Sequence, residues 1–107
     1  MGQRMLTQKY LRYWHTRFNN LVFEGKLARA KIVIEPCGPD AAGYAESTTP
    51  CTIYIDPSLE GAEARTILLH EMVHQWQYEN GQPAGHGRSF TQWEEPCRLL
   101  TGLPLWL

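Results

Sequence analysis

The stretch Glu60-Gly61-Ala62-Glu63-Ala64-Arg65-Thr66-Ile67-Leu68-Leu69-His70-Glu71-Met72-Val73-His74-Gln75-Trp76-Gln77-Tyr78-Glu79 decides how this chain is read. It contains no proline, and its one glycine stands at the start. Leu69, Met72, Val73 and Trp76 recur at helical spacing and make an apolar stripe that anchors a helix to a core. Asp56 or Ser58 is the expected cap, and Glu60 and Glu63 suit the positive N-terminal end. Asn80-Gly81 is a natural stop, so the spacing predicts a helix over 60–79.

Within that helix His70-Glu71-Met72-Val73-His74 reads H-E-x-x-H. Residues four apart project from one face, about 5–6 Å from each other. That separation lets two imidazoles share one zinc ion at about 2.0–2.1 Å each. Glu71 lies one step further round the helix. It is poorly placed to ligate the same ion but well placed to serve a metal-activated water as general base. The metal-facing side is distinct from the packing side.

Catalytic zinc usually has three protein ligands and one open position. The third ligand should come from a different element downstream. His86, in Gly85-His86-Gly87, is the histidine that qualifies, and the flanking glycines allow a close approach of the backbone. Glu94 and Glu95 are acidic alternatives; Glu79 is on the same helix and badly placed to close the site. The remaining histidine, His15, reads as structural or solvated. Tyr78 falls near the Glu71 side of the helix, where it would either donate to an oxyanion or, more simply, pack.

Outward from the central helix, 7–24 reads as another helix, with Leu11, Trp14, Phe18, Leu21 and Val22 as its apolar stripe. Thr7 is its expected cap and Gly25 its stop. Lys9, Arg12 and Arg17 fall on the opposite side. Segments 31–35 and 52–55 read as strands and 43–47 as a weaker one, all separated by turn residues. Three short strands in a row predict a small antiparallel meander. After the loop 81–87, Ser89 with Gln92 looks like a capping box opening a last helix over about 89–100. That helix carries Phe90, Trp93, Leu99 and Leu100, with a kink or break expected at Pro96. The fold class is therefore α+β, a minimal zincin-like arrangement in one domain spanning 1–107.

The chain has 107 residues, 43% of them apolar and 20% charged, with a formal net charge of −1. These values fit one globular domain and exclude collagen-like and disordered classes. The charge is uneven: residues 1–31 sum to +6 and the rest to −7. That permits a DNA contact through the basic first helix but does not demand one. No segment has the length of a membrane span, and the N-terminus lacks the apolar run of a secretory signal, so a cytoplasmic protein without membrane contact is expected. Cys37, Cys51 and Cys97 are odd in number and widely spaced, which argues for reduced thiols and against a disulfide framework. The layout leaves room for a Cys37–Cys51 bridge, since both flank the proposed sheet.

Three segments together resemble the SprT-like (Spartan-type) zinc metallopeptidase domain. They are Asn20-Leu21-Val22-Phe23-Glu24-Gly25-Lys26-Leu27, then Leu68-Leu69-His70-Glu71-Met72-Val73-His74, then Gly85-His86-Gly87-Arg88-Ser89-Phe90, which is similar to that family's G-H-G-x-x-F segment. The resemblance runs from about residue 7 to residue 100. It implies zinc held by His70, His74 and His86, Glu71 as the base, a protein or peptide substrate, and a helix–sheet–helix–helix layout. Some members of the family cleave proteins crosslinked to DNA. The apolar tail 103–107 has the character of a segment that fills its own cleft.

Three functions compete at this level. The first is a zinc endopeptidase acting on unfolded or DNA-associated protein. The second is a non-catalytic zinc-containing module that binds nucleic acid or protein. The third is a phage- or toxin-type effector protease. An intact Glu71 favours catalysis, because a structural zinc has no need of a base there. A fourth ligand from Cys37, Cys97 or a carboxylate would favour the second.

Overall fold

The computed structural model describes residues 5–105. It is a mixed α+β fold in the order α1 (Gln8–Val22), β1 (Lys31–Ile34), β2 (Gly43–Glu46), β3 (Thr52–Ile55), α2 (Gly61–Glu79), α3 (Arg88–Thr91) and α4 (Glu94–Thr101).

Helix α1 begins as its sequence predicts, with the Thr7 hydroxyl accepting from the Tyr10 amide at 3.1 Å. Its buried stripe differs from the expected one. Leu11, His15, Phe18 and Val22 are buried, whereas Leu21 is 40% exposed. His15 takes the inner position because α2 offers it a polar partner: its Nε2 donates to the Gln75 Oε1 at 2.9 Å. The helix closes at Phe23, and Glu24 and Gly25 both take positive φ to turn the chain.

The sheet order is β1-β3-β2. Strand β2 pairs antiparallel with β3, but β1 pairs parallel with β3, so the expected antiparallel meander is corrected to a mixed sheet. The connection 35–42 holds Pro36, Gly38 and Pro39 and is too long for a tight hairpin. It carries the chain past the central place, which β3 occupies. Burial gives the reason: Thr52, Ile53 and Ile55 are all buried, whereas β2 alternates between half-buried and exposed. The most buried of the three strands is the middle one, flanked on both sides by strand partners. One face of the sheet, with Ile32, Ile53 and Ile55, joins Leu68, Leu69, Met72 and Val73 of α2 in the core.

The two edges of the sheet differ. Along β1, the Gln8 side chain donates to the Ile32 carbonyl at 2.6 Å and Arg12 donates to the Ala30 carbonyl at 2.7 Å. Helix α1 thus covers that edge. Along β2, the Asp56 amide donates to the Ala42 carbonyl at 2.9 Å. Alternation of an antiparallel ladder then turns the backbone groups of Gly43 and Ala45 away from β3.

Helix α2 runs over the expected span but is capped differently. Its N-cap is Glu60, with no side-chain cap bond. Asp56 instead accepts from the amide and hydroxyl of Ser58 at 2.9 and 2.7 Å, building the turn that precedes the helix. Asn80-Gly81 ends it as expected, with Gly81 at φ 63°. Leu69, Met72 and Val73 are fully buried and Trp76 partly so.

The last helix is two pieces. The break falls at Gln92-Trp93, before Pro96 and not at it. Proline lacks the N–H that would bond back to residue 92, so the helix restarts with Pro96 in its first turn, where no such bond is needed. Ser89 is inside α3, and Gly87 is the N-cap, so the expected capping box does not form. Leu99 and Leu100 are 66% and 50% exposed, leaving Phe90 and Cys97 as the buried residues of these helices. Leu103 and Leu105 pack on the core; Trp106 and Leu107, the end of the apolar tail, lie outside the described residues. The three cysteines are free thiols, so no Cys37–Cys51 bridge forms. No described helix is long and apolar enough to cross a membrane.

Candidate metal centre

His70 and His74 project from the middle of α2, with ring centroids 5.0 Å apart. The loop after α2 returns His86 to the same place, 5.1 Å from each of them. One ligand atom from each of the three lies within 4.8 Å of the others. The Nε2 atoms of His70 and His86 are 3.2 Å apart. Tetrahedral zinc with Zn–N bonds of about 2.0–2.1 Å sets its ligand nitrogens about 3.3 Å apart. The donor set therefore fits zinc in both chemistry and spacing. His70 and His74 are half-buried and His86 is exposed, so the cluster opens to solvent on the His86 side.

Phe90 underlies the cluster. It is fully buried, and its ring centroid lies 4.7, 5.0 and 4.8 Å from those of His70, His74 and His86. In the sequence Phe90 stands out only as a core residue and a motif position. Its contact with all three imidazoles is a product of the fold.

The glycines flanking His86 act differently from the expectation of crowding. A Cβ at Gly85 or Gly87 would meet nothing within 4 Å. Gly85 is required by its backbone instead, since it stands at φ 107°, a region other residues rarely adopt.

No sequence signal marks Gln77. It is fully buried. Its Oε1 faces the His74 Nδ1 at 2.7 Å. Its Nε2 donates to the Gly85 carbonyl at 3.0 Å and to the Ser89 hydroxyl at 2.9 Å. No periodicity marks such a residue, because a buried glutamine on an apolar helix resembles an ordinary helix former.

Glu71 is 5% exposed. Burial pushes its carboxyl up to about 8. A cation at the neighbouring imidazoles opposes that shift by favouring the carboxylate. Burial holds His74 below its ordinary value, an effect partly offset by its bond to Gln77.

The acidic alternatives lie elsewhere. Glu79 accepts from the Ala28 amide and from Gln75 at 3.0 and 2.8 Å, which commits both of its oxygens. Glu94 and Glu95 are exposed in the first turn of α4. Among the described residues the grouping is the three histidines alone, without a cysteine or carboxylate. Tyr78 donates to the Ala45 carbonyl at 3.3 Å, tying α2 to the outer edge of β2. On α1, Arg12 is committed to Ala30, which leaves Lys9 and Arg17 exposed on the basic face.

Fold and site together define a small α+β domain built around a three-histidine cluster spaced for a metal ion. The family model described as SprT-like family matches residues 11–105, nearly the whole chain, and the chain belongs to that family of metallopeptidase-like, zinc-associated domains. No curated protein matches it.

Proposed function

We propose that the protein is a zinc-dependent endopeptidase, with His70, His74 and His86 as the ligands and Glu71 as the general base. The observation that carries this reading is the cluster itself. Three imidazoles converge at zinc spacing without a fourth protein ligand among the described residues, beside a buried carboxylate. A structural zinc would call for a fourth ligand, and Cys37 and Cys97 do not join the group.

Held by His70, His74 and His86, zinc would supply a Lewis acid that acidifies a water and polarises the scissile carbonyl. Glu71 accepts the proton at its carboxylate and returns it to the leaving amine. The outer edge of β2 supplies a place for the substrate chain. Gly43 and Ala45 turn their backbone groups outward there, although the Ala45 carbonyl already accepts from the Tyr78 hydroxyl, whereas α1 occupies the other edge. An extended peptide would add to β2 as a further strand. The reading thus takes an unfolded or extended protein segment as substrate. The exposed Lys9 and Arg17 keep DNA-associated proteins within its scope.

The test combines metal content and cleavage. About one zinc per chain, lost in His86→Ala, with casein cleavage lost in Glu71→Gln, is the expected result. Single-stranded DNA is added in a parallel arm, and stimulation there would assign DNA-associated substrates. Zinc retained firmly by His86→Ala would refute the ligand set. Zinc bound without cleavage of any unfolded substrate would favour a binding module.

A further inference from the structure

We propose that Gln77 is the positioning residue of the site: one buried amide fixes the tautomer of His74 and the place of His86 together. This rests on the metal reading above, and it adds a residue that neither the H-E-x-x-H spacing nor the G-H-G segment contains.

The argument is one of donors and acceptors. A glutamine amide has two N–H donors and one acceptor oxygen. Gln77 Nε2 faces the Gly85 carbonyl at 3.0 Å, and a carbonyl can only accept. It also faces the Ser89 Oγ at 2.9 Å. That hydroxyl gives its one hydrogen to the Pro83 carbonyl at 2.7 Å, so towards Gln77 it accepts. Both amide hydrogens are therefore assigned. The flipped amide would set oxygen against the Gly85 carbonyl oxygen inside a buried site, which is unfavourable.

With the amide so oriented, its Oε1 points at the His74 Nδ1, 2.7 Å away. An oxygen there requires a proton on Nδ1. The lone pair of His74 is then left on Nε2, the atom through which it can ligate. A metal-bound histidine is commonly set in this way by a partner on its other nitrogen.

The same side chain reaches forward along the sequence. Gly85 immediately precedes His86, and Pro83 and Ser89 bracket the loop. Residues 82–84 and 86–88 are all exposed, so the loop has little packing of its own. A backbone bond from the Gln82 amide to the Gln77 carbonyl, 2.9 Å, fastens its start to the same residue. Gln77 therefore joins a ligand on a rigid helix to a ligand on an exposed loop. The third ligand is placed before the ion arrives, and less conformational freedom remains to be lost on binding.

Two measurements test this. Histidine ¹⁵N spectra of the metal-free chain should show His74 protonated on Nδ1. Zinc affinity, read by competition with a chromophoric chelator, should fall about 10–100-fold in Gln77→Met. It should fall less in Ser89→Ala, which loosens the loop while leaving the His74 bond and its tautomer intact. A His74 protonated on Nε2 in the parent chain would overturn the proposal without any substitution. So would a folded Gln77→Met with affinity within about twofold of the parent. Should Gln77→Met fail to fold, the tautomer and Ser89→Ala decide, and unaltered zinc affinity in Ser89→Ala would refute the link to the loop. A parent chain that binds no zinc would instead refute the metallopeptidase reading itself.

Discussion

Replacing Glu71 by glutamine should abolish cleavage and yet make the metal-free protein more stable. Glu71 is 5% exposed, and burial raises its carboxyl from an ordinary 4.5 to about 8. A group whose pKa is raised on folding gives its full stabilisation below the unfolded value and loses it as pH rises through the folded value. Below pH 4.5 the two states bind the proton equally. Between pH 4.5 and 8 the folded chain must either hold a proton that the unfolded chain has released or bury a charge. At about 1.4 kcal/mol per pH unit, the penalty is about 1 kcal/mol at pH 5, about 3 at pH 7 and about 4 at pH 8. Glutamine has nearly the same shape and carries no charge, although its amide keeps some desolvation cost of its own. Glu71→Gln should therefore exceed the parent by about 1–3 kcal/mol at pH 7, with the gap widening from pH 5 to pH 8. Urea unfolding in the presence of a chelator, at several pH values, measures it. Added zinc should narrow the gap by stabilising the carboxylate. A variant no more stable than the parent at pH 8, or a gap independent of pH, would refute the reasoning.

Other substitutions probe the frame around the site. In Gly43→Ala the new Cβ would lie 2.7 Å from the Tyr54 carbonyl oxygen and 2.8 Å from the Ile67 Cγ2, so a loss of about 1–3 kcal/mol is expected in urea unfolding. An unshifted midpoint would mean that β2 has room to move. Phe90→Ala removes the ring beneath all three imidazoles and should cost about 3–5 kcal/mol and weaken zinc binding. Parent-like stability and affinity would show that the ring is dispensable. Burial holds His15 below its ordinary 6.5, against the raising effect of its bond to Gln75. As pH falls below about 6.5 the unfolded chain takes up that proton first, so the stability of the parent relative to His15→Gln should drop by up to about 1.4 kcal/mol per pH unit. A difference constant from pH 8 to pH 5 would contradict this.

Features set by local spacing were legible in the sequence. The extents of α1 and α2 follow from their apolar period and from Thr7 and Asn80-Gly81. His70, Glu71 and His74 occupy the positions that a 3.6-residue turn assigns them. His86 follows only from requiring a histidine on another element, and the structure brings its ring to within 5.1 Å of the other two. Features that depend on a distant partner were not legible. The stripe of α1 exchanged Leu21 for His15 because Gln75, sixty residues away, offers a hydrogen bond. Leu99 and Leu100 lie outside because the helix restarts two residues before Pro96 and turns Cys97 inward.

By itself the sequence determined α1, α2, the imidazoles of His70 and His74 and the carboxylate between them, since each follows from the geometry of one chain segment; His86 followed from the need for a third ligand on another element. Only the tertiary structure decided the order of the strands, the outward-facing backbone groups of β2, the Phe90 ring beneath the imidazoles and the amide of Gln77 behind His74. These rest on which surfaces bury one another and which buried polar groups find partners. Those choices are made between segments far apart in the chain, and no local pattern records them.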